Sequence, residues 1–191
     1  MLPLPLVYIS IFTTLFAGFF YIRDTWRGHT KPNLVSWSIW FIAPFIAALI
    51  ALDKGAGIAT LPIFMATFTP LVVIILACVK KNVYWKLTIL DYVCFVLSLL
   101  AIVTWIFLKE GTWATVFAIL ADLIAFIPTY IKSWKAPETE TLGPYFSGMF
   151  NPFLSVATLN AFSFVTAGFA VYLFLGNLVE VGIVLIRRKY K

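Results

Sequence analysis

The sequence predicts an all-α membrane protein of seven transmembrane helices, in which two parallel three-helix repeats are joined by a single linking helix. Three observations predict it. The chain is 62% hydrophobic and 12% charged with a mean hydropathy of +1.00, too little polar surface to cover a soluble globule of its 191 residues. Basic residues cluster after alternate apolar segments. A short motif that closes the first helix returns near the end of the fifth.

Apolar stretches with charged or turn-forming ends lie near 2–22, 33–52, 57–79, 86–108, 113–132, 142–160 and 163–186. Each is close to the roughly 20 residues a helix needs to cross the hydrocarbon core. The first resembles a signal peptide in length, but no Lys or Arg precedes its apolar run and no small-x-small site precedes Arg23. It is read as a retained helix. Only Asn160 to Ser163 separates the last two stretches, which leaves open two spans with a tight turn or one re-entrant hairpin. Trp85, Trp105, Trp113 and Trp134 fall near predicted helix ends, where indole sits well between lipid and water. Cys78 and Cys94 fall within apolar segments and are expected as buried free thiols.

The basic residues give the orientation. Twelve of the 14 Lys and Arg follow helices 1, 3, 5 or 7: Arg23, Arg27 and Lys31, then Lys80, Lys81 and Lys86, then Lys132 and Lys135, and finally Arg187, Arg188, Lys189 and Lys191. Only Lys54 and Lys109 lie on the other side. The positive-inside rule then places the N-terminus outside and the C-terminus in the cytoplasm, as expected of a protein of the plasma (inner) membrane. The count also supports an odd number of spans. The net charge of +6 is spent at helix ends and not gathered into a patch with interleaved aromatics. The expected partner is therefore the lipid bilayer and not nucleic acid.

The internal repeat pairs Tyr21-Ile22-Arg23 with Tyr130-Ile131-Lys132, each closing a helix before a loop with a proline, Pro32 or Pro137. The next helices carry Trp37, Ser38, Ile39, Trp40, then Pro44-Phe45, and Tyr145, Phe146, Ser147, Gly148, then Pro152-Phe153. The offset is 109 before the loop and 108 after it. A three-helix unit fused directly to its copy would invert it, whereas one extra helix restores the direction, and Lys86 to Leu108 supplies that helix. The expected division is 1–79 for the first repeat, 80–112 for the linking helix, and 113–191 for the second repeat and basic tail.

With this arrangement the chain resembles the PQ-loop superfamily, which includes the SWEET sugar transporters. The resemblance covers nearly the whole chain in architecture and rests on few residues. Pro128-Thr129 keeps the proline of the family's Pro-Gln pair, and Phe19-Phe20 keeps neither residue. Pro44 and Pro152 stand where the family has helix-bending prolines, and the resemblance implies that they act as hinges. The family's sugar pocket pairs late Trp residues of helices 2 and 6 with Asn of helices 3 and 7. Segments 45–52 and 153–160 contain no Trp and helix 3 no Asn, so the resemblance implies transport without naming a sugar.

An ionisable side chain inside a membrane is costly and is a functional candidate by default. Asp122 lies about nine residues into helix 5, on a stripe with Thr115, Ala118, Ala125 and Thr129 that should face the bundle. Its repeat mate is Thr13, with Ser10 and Ala17 on the same face. A carboxyl group out of water can carry a proton, and some PQ-loop transporters couple export to protons through an Asp on helix 5; the alternative role is a hydrogen bond to a neighbouring helix. Glu180, with Asn177 at i−3, could line a path or snorkel toward Arg187 and Arg188. Asp91 reads as an interfacial pairing residue near Lys86. Asn151 could bind a solute or satisfy the carbonyl that Pro152 leaves free. Trp37 and Trp40 could stack on a ring-bearing solute or fill the core.

His29 is the only histidine, with no Cys pair or carboxylate cluster near it, so neither a metal nor a cofactor is expected. No nucleophile elbow, phosphate loop or zinc-protease motif appears, and an enzyme is not expected. A retinal protein needs a lysine in the last helix, and Ser163 to Ile186 has none. The expected function is movement of a small polar solute by alternating access, with Asp122, Asn151, Asn177, Glu180 and Trp40 at the site, Pro44 and Pro152 as hinges, and proton coupling through Asp122 as a secondary expectation. The alternative is a seven-helix receptor or accessory protein that binds a ligand or partner without moving it. The sequence leaves open whether the chain works alone or as a homo-oligomer.

Overall fold

The structure is a computed structural model that describes residues 4–30, 32, 34–80, 89–109, 111–159 and 161–190. The expectations for Lys31, Lys81, Trp85, Lys86, Asn160 and Lys191 lie outside these residues, as do those for the side chains of Asp91, Cys94 and Trp105. Among the described residues every regular element is helical. They are α1 (Leu4–Trp26), α2 (Leu34–Asp53), α3 (Gly57–Lys80, interrupted), α4 (Ile89–Ile106), α5 (Gly111–Lys135), α6 (Gly143–Ala157) and α7 (Phe164–Lys189). Five of them, α1, α2, α3, α5 and α7, are long and apolar enough to cross a membrane. At 1.5 Å per residue, the 18 residues of α4 rise about 27 Å and the 15 of α6 about 22 Å.

The surface is apolar, and the core mixes apolar side chains with polar and charged ones. Phe12, Phe16, Phe95, Phe153 and Leu175 are exposed, while Ser10, Thr14, Asp122, Asn151, Ser155 and Glu180 are buried. Such a surface suits hydrocarbon, and a polar interior must then satisfy itself. Cys78 is exposed on α3, which corrects the expectation of burial. In an apolar solvent a small thiol gains little by facing inward.

Local chemistry sets the breaks. In α3 a 3₁₀ turn (Gly57–Thr60) leads into Leu61–Ala66, and a second helical stretch starts at Phe68. Pro70 has no N–H for the Ala66 carbonyl, and Thr67 N donates to Phe64 O at 3.1 Å as the helix tightens there. After α1, Gly28 turns the chain at a φ of +78°, a left-handed conformation that favours glycine. Ser163 begins α7 with a capping box: its Oγ accepts from Thr166 N, and Thr166 Oγ1 accepts from Ser163 N. That cap separates α6 and α7 as two helices that pack on one another.

The helices pack in a regular way. α1 lies on α6 and α5 on α2, while α3 packs against α1 and α2 as α7 packs against α5 and α6. α4 covers α5 and touches α2. Between α2 and α5, Ala43, Ala47, Ala114, Ala118 and Ala121 are buried, and small side chains let the two backbones approach. The basic ends of α1, α3, α5 and α7 meet the same region of the bundle. Lys80 Nζ donates to Trp26 O at 2.6 Å, Thr141 Oγ1 to Asp24 Oδ2 at 3.2 Å and Arg187 Nε to Trp134 O at 2.9 Å. At the opposite end, a methyl built on Gly111 would stand 3.1 Å from Val165 and 3.3 Å from Lys54.

Candidate functional site

A cavity of about 80 Å³ lies between the α1–α3 and α5–α7 triplets. At roughly 10–15 Å³ of such volume per water it would hold a handful of waters or a small solute. Its wall takes Thr14 from α1, Trp37, Trp40 and Pro44 from α2, and Thr69 from α3. The second triplet adds Asp122 and Phe126 from α5, Tyr145, Gly148 and Asn151 from α6, and Leu173 and Asn177 from α7.

Helical spacing accounts for Asp122. Thr115, Ala118, Asp122, Ala125 and Thr129 are all buried, on the inward stripe their spacing predicts. The carboxyl is 0% exposed, and Tyr172 Oη of α7 donates to its Oδ2 at 2.8 Å. Oδ1 has no partner. Leaving a buried polar atom unpaired costs about 1–3 kcal/mol, more for a charged group, so this oxygen is poised to accept from whatever enters.

Asn151 does something the sequence did not show. Its Oδ1 accepts from Ser10 at 2.9 Å and from Thr13 at 3.1 Å, and its Nδ2 donates to Thr14 Oγ1. Three hydroxyls of α1, two on successive turns, thus hold α6. Thr13 lies at this interface, its Oγ1 shared between Asn151 Oδ1 and Ser10 O at 2.9 Å. Asn177 donates through Nδ2 to Leu173 O at 2.8 Å, within its own helix. A methyl on Gly148 would come within 2.5 Å of the Asn177 amide, so only glycine lets α6 approach there.

The aromatic side chains form one chain of contacts. Trp37 and Trp40 have ring centroids 5.4 Å apart, Trp40 and Phe126 4.8 Å, and Trp40 and Tyr145 6.3 Å. Trp40 is buried, and its indole Nε1 has no partner among the described residues. Both tryptophans therefore pack in the core and face the cavity at once.

Glu180 is not on the cavity. It lies about one turn beyond Asn177 and is 0% exposed, with Ser133 of α5 donating to its Oε1. Snorkelling to the basic tail is not observed: Arg187 reaches Trp134 O, and Arg188 reaches Pro137 O and Glu140 O. The tail finds carbonyls closer than the carboxylate. A separate network ties the loop before α6, where Lys132 Nζ meets Glu140 Oε1 at 2.6 Å and Tyr145 Oη donates to Oε2 at 3.1 Å. His29 is exposed. Pro44 lines the cavity, whereas Pro152 is buried beside Asn151 without lining it.

The two prolines act on equivalent carbonyls. Pro44 removes the helical donor to Trp40 O, and Pro152 the donor to Gly148 O. Both residues line the cavity, as does Ala66, whose carbonyl loses its donor to Pro70. Tyr172, Thr69 and Phe126 also belong to the site, and sequence reasoning missed them. One signal was present for Gly148: the repeat offset sets it against Trp40, the smallest residue against the largest. No family model, curated protein or solved structure matches the chain.

Proposed function

We propose that this protein is a membrane transporter that moves a small polar solute by alternating access between two parallel three-helix repeats. The observation that carries this reading is the cavity between the triplets, which draws Asp122, Asn151, Asn177 and Trp40 into one place. The mutual packing of α1 on α6 and α5 on α2 supports a two-fold relation along the membrane normal, with α4 as the linking helix. The orientation follows from the twelve bases that the sequence puts after helices 1, 3, 5 and 7. Seven spans would require α4 and α6 to cross as well; α6 packs beside the Ala17 carbonyl at Gly143 and meets the first turn of α3 at Ser155, whose Oγ donates to Ala59 O.

Rocking of the repeats would bend α2 and α6 where Pro44 and Pro152 break the hydrogen-bond ladder. Coupling to protons follows if Asp122 takes up a proton on one side and releases it on the other. The test is purified protein in liposomes with an imposed pH gradient. Solute movement driven by the gradient is expected with the native chain and is expected to fall at least tenfold in Asp122→Asn. Flux that ignores this substitution would remove the coupling, and binding without any flux would favour a receptor.

A further inference from the structure

The solute class can be narrowed by asking which polar groups of the cavity are already spent, an argument that rests on the transporter reading for its site. The Asn151 amide is engaged on both atoms by α1 hydroxyls, and Asn177 Nδ2 by Leu173 O. The donors that would read the hydroxyls of a sugar are thus largely occupied. What remains is mostly electron-rich: Asp122 Oδ1, without a partner among the described residues, four aromatic rings in the wall, and the carbonyls of Trp40, Ala66 and Gly148 that proline deprives of their helical donors. No Lys, Arg or His is among the lining residues described, so no side chain there balances the carboxylate.

We infer that the solute is a small organic cation, an ammonium compound held by the Asp122 carboxylate and the faces of Trp37, Trp40, Phe126 and Tyr145. Ring faces carry negative electrostatic potential and attract a cation within about 6 Å of the centroid, most strongly when the site is dry and the ring is Trp. Trp40 packs on Trp37, Phe126 and Tyr145 at centroid spacings of 5.4, 4.8 and 6.3 Å, so the four rings form one contiguous part of the cavity wall. Tyr172, donating to Oδ2, holds the carboxyl in place, while Oδ1 has no partner among the described residues. The unpartnered Trp40 Nε1–H offers one donor, which suits an oxygen on the same molecule and makes an amino alcohol the best-matched class.

The test compares choline with its neutral carbon isostere, dimethylbutanol, by tryptophan-fluorescence titration of the full-length protein in detergent. Choline is expected to saturate and to bind about tenfold or more tightly than the isostere, because shape is equal and only charge differs. Asp122→Asn should erase that difference and Asp122→Glu should retain it. Should Asp122→Asn fail to fold, Trp40→Leu serves instead, and is expected to weaken choline about tenfold and the isostere much less. Equal affinity for the two probes, a preference that survives Asp122→Asn, equal weakening by Trp40→Leu, or no saturable choline signal would each overturn the inference. Failure of the transport reading looks different: choline that binds but shows no counterflow in liposomes leaves the cation site standing, whereas glucose counterflow without choline binding removes the cation and keeps transport.

Discussion

Asp122 and Glu180 are both buried carboxyls, yet their surroundings separate their roles. Each keeps one oxygen without a partner among the described residues, but Asp122 lines the cavity, while Glu180 joins α7 to α5 through Ser133 away from it. Glu180 is therefore expected to act on stability. Glu180→Ala should cost about 1–3 kcal/mol by stranding the Ser133 hydroxyl, while Glu180→Gln, which keeps an acceptor, should stay within about 1 kcal/mol of the native chain. Unfolding in detergent measures both, and two neutral results would mean that the carboxyl reaches water. The inward stripe of Asp122 was legible because helical spacing alone decides which face a residue shares. Its partner Tyr172, 50 residues away on another helix, was not, since no local pattern encodes an interhelical hydrogen bond.

Among the elements, α1 is held by contacts that only close approach permits. Gly18 faces Thr69 of α3, and a methyl there would overlap the Thr69 hydroxyl. Gly18→Ala is expected to destabilise by about 1–3 kcal/mol, because the β-branched Thr69 has little freedom to yield. Gly182→Ala is the matched control: nothing lies within 4 Å, and relief of glycine's helix cost should stabilise by up to about 1 kcal/mol. Thermal unfolding of both should give opposite signs. For α6, Pro152→Ala returns a donor to Gly148 O, worth about 1 kcal/mol, and should stiffen the helix. Slower flux with unchanged solute affinity is expected, and unchanged flux would show that bending at Pro152 is not used. The end of α6 and the start of α7 carried a readable signal in Ser163-x-x-Thr166, a cap that hydropathy counting passes over. The break in α3 was likewise foreshadowed by Pro70.

For the whole molecule, the prediction concerns sidedness. In a chain with Cys78 and Cys94 replaced, a cysteine at Asp53 should react with a membrane-impermeant maleimide on intact cells. One at Tyr190 should react only after permeabilisation, and the reverse pattern would invert the orientation. Membrane character and the alternation of basic ends were determined by the sequence itself, since hydropathy and charge are properties of composition and order that need no partner. Cavity-facing Asp122, Asn151, Asn177 and Trp40 were named from burial cost, kink chemistry and position, and the structure draws those four together. Only the tertiary structure decided that Glu180 stands apart, that the Asn151 amide is spent on Ser10, Thr13 and Thr14, and that Asp122 keeps one oxygen unspent. Helical periodicity tells each side chain which way to face. Whether a polar group is satisfied depends on atoms up to 141 residues distant, brought within 3 Å by helix packing.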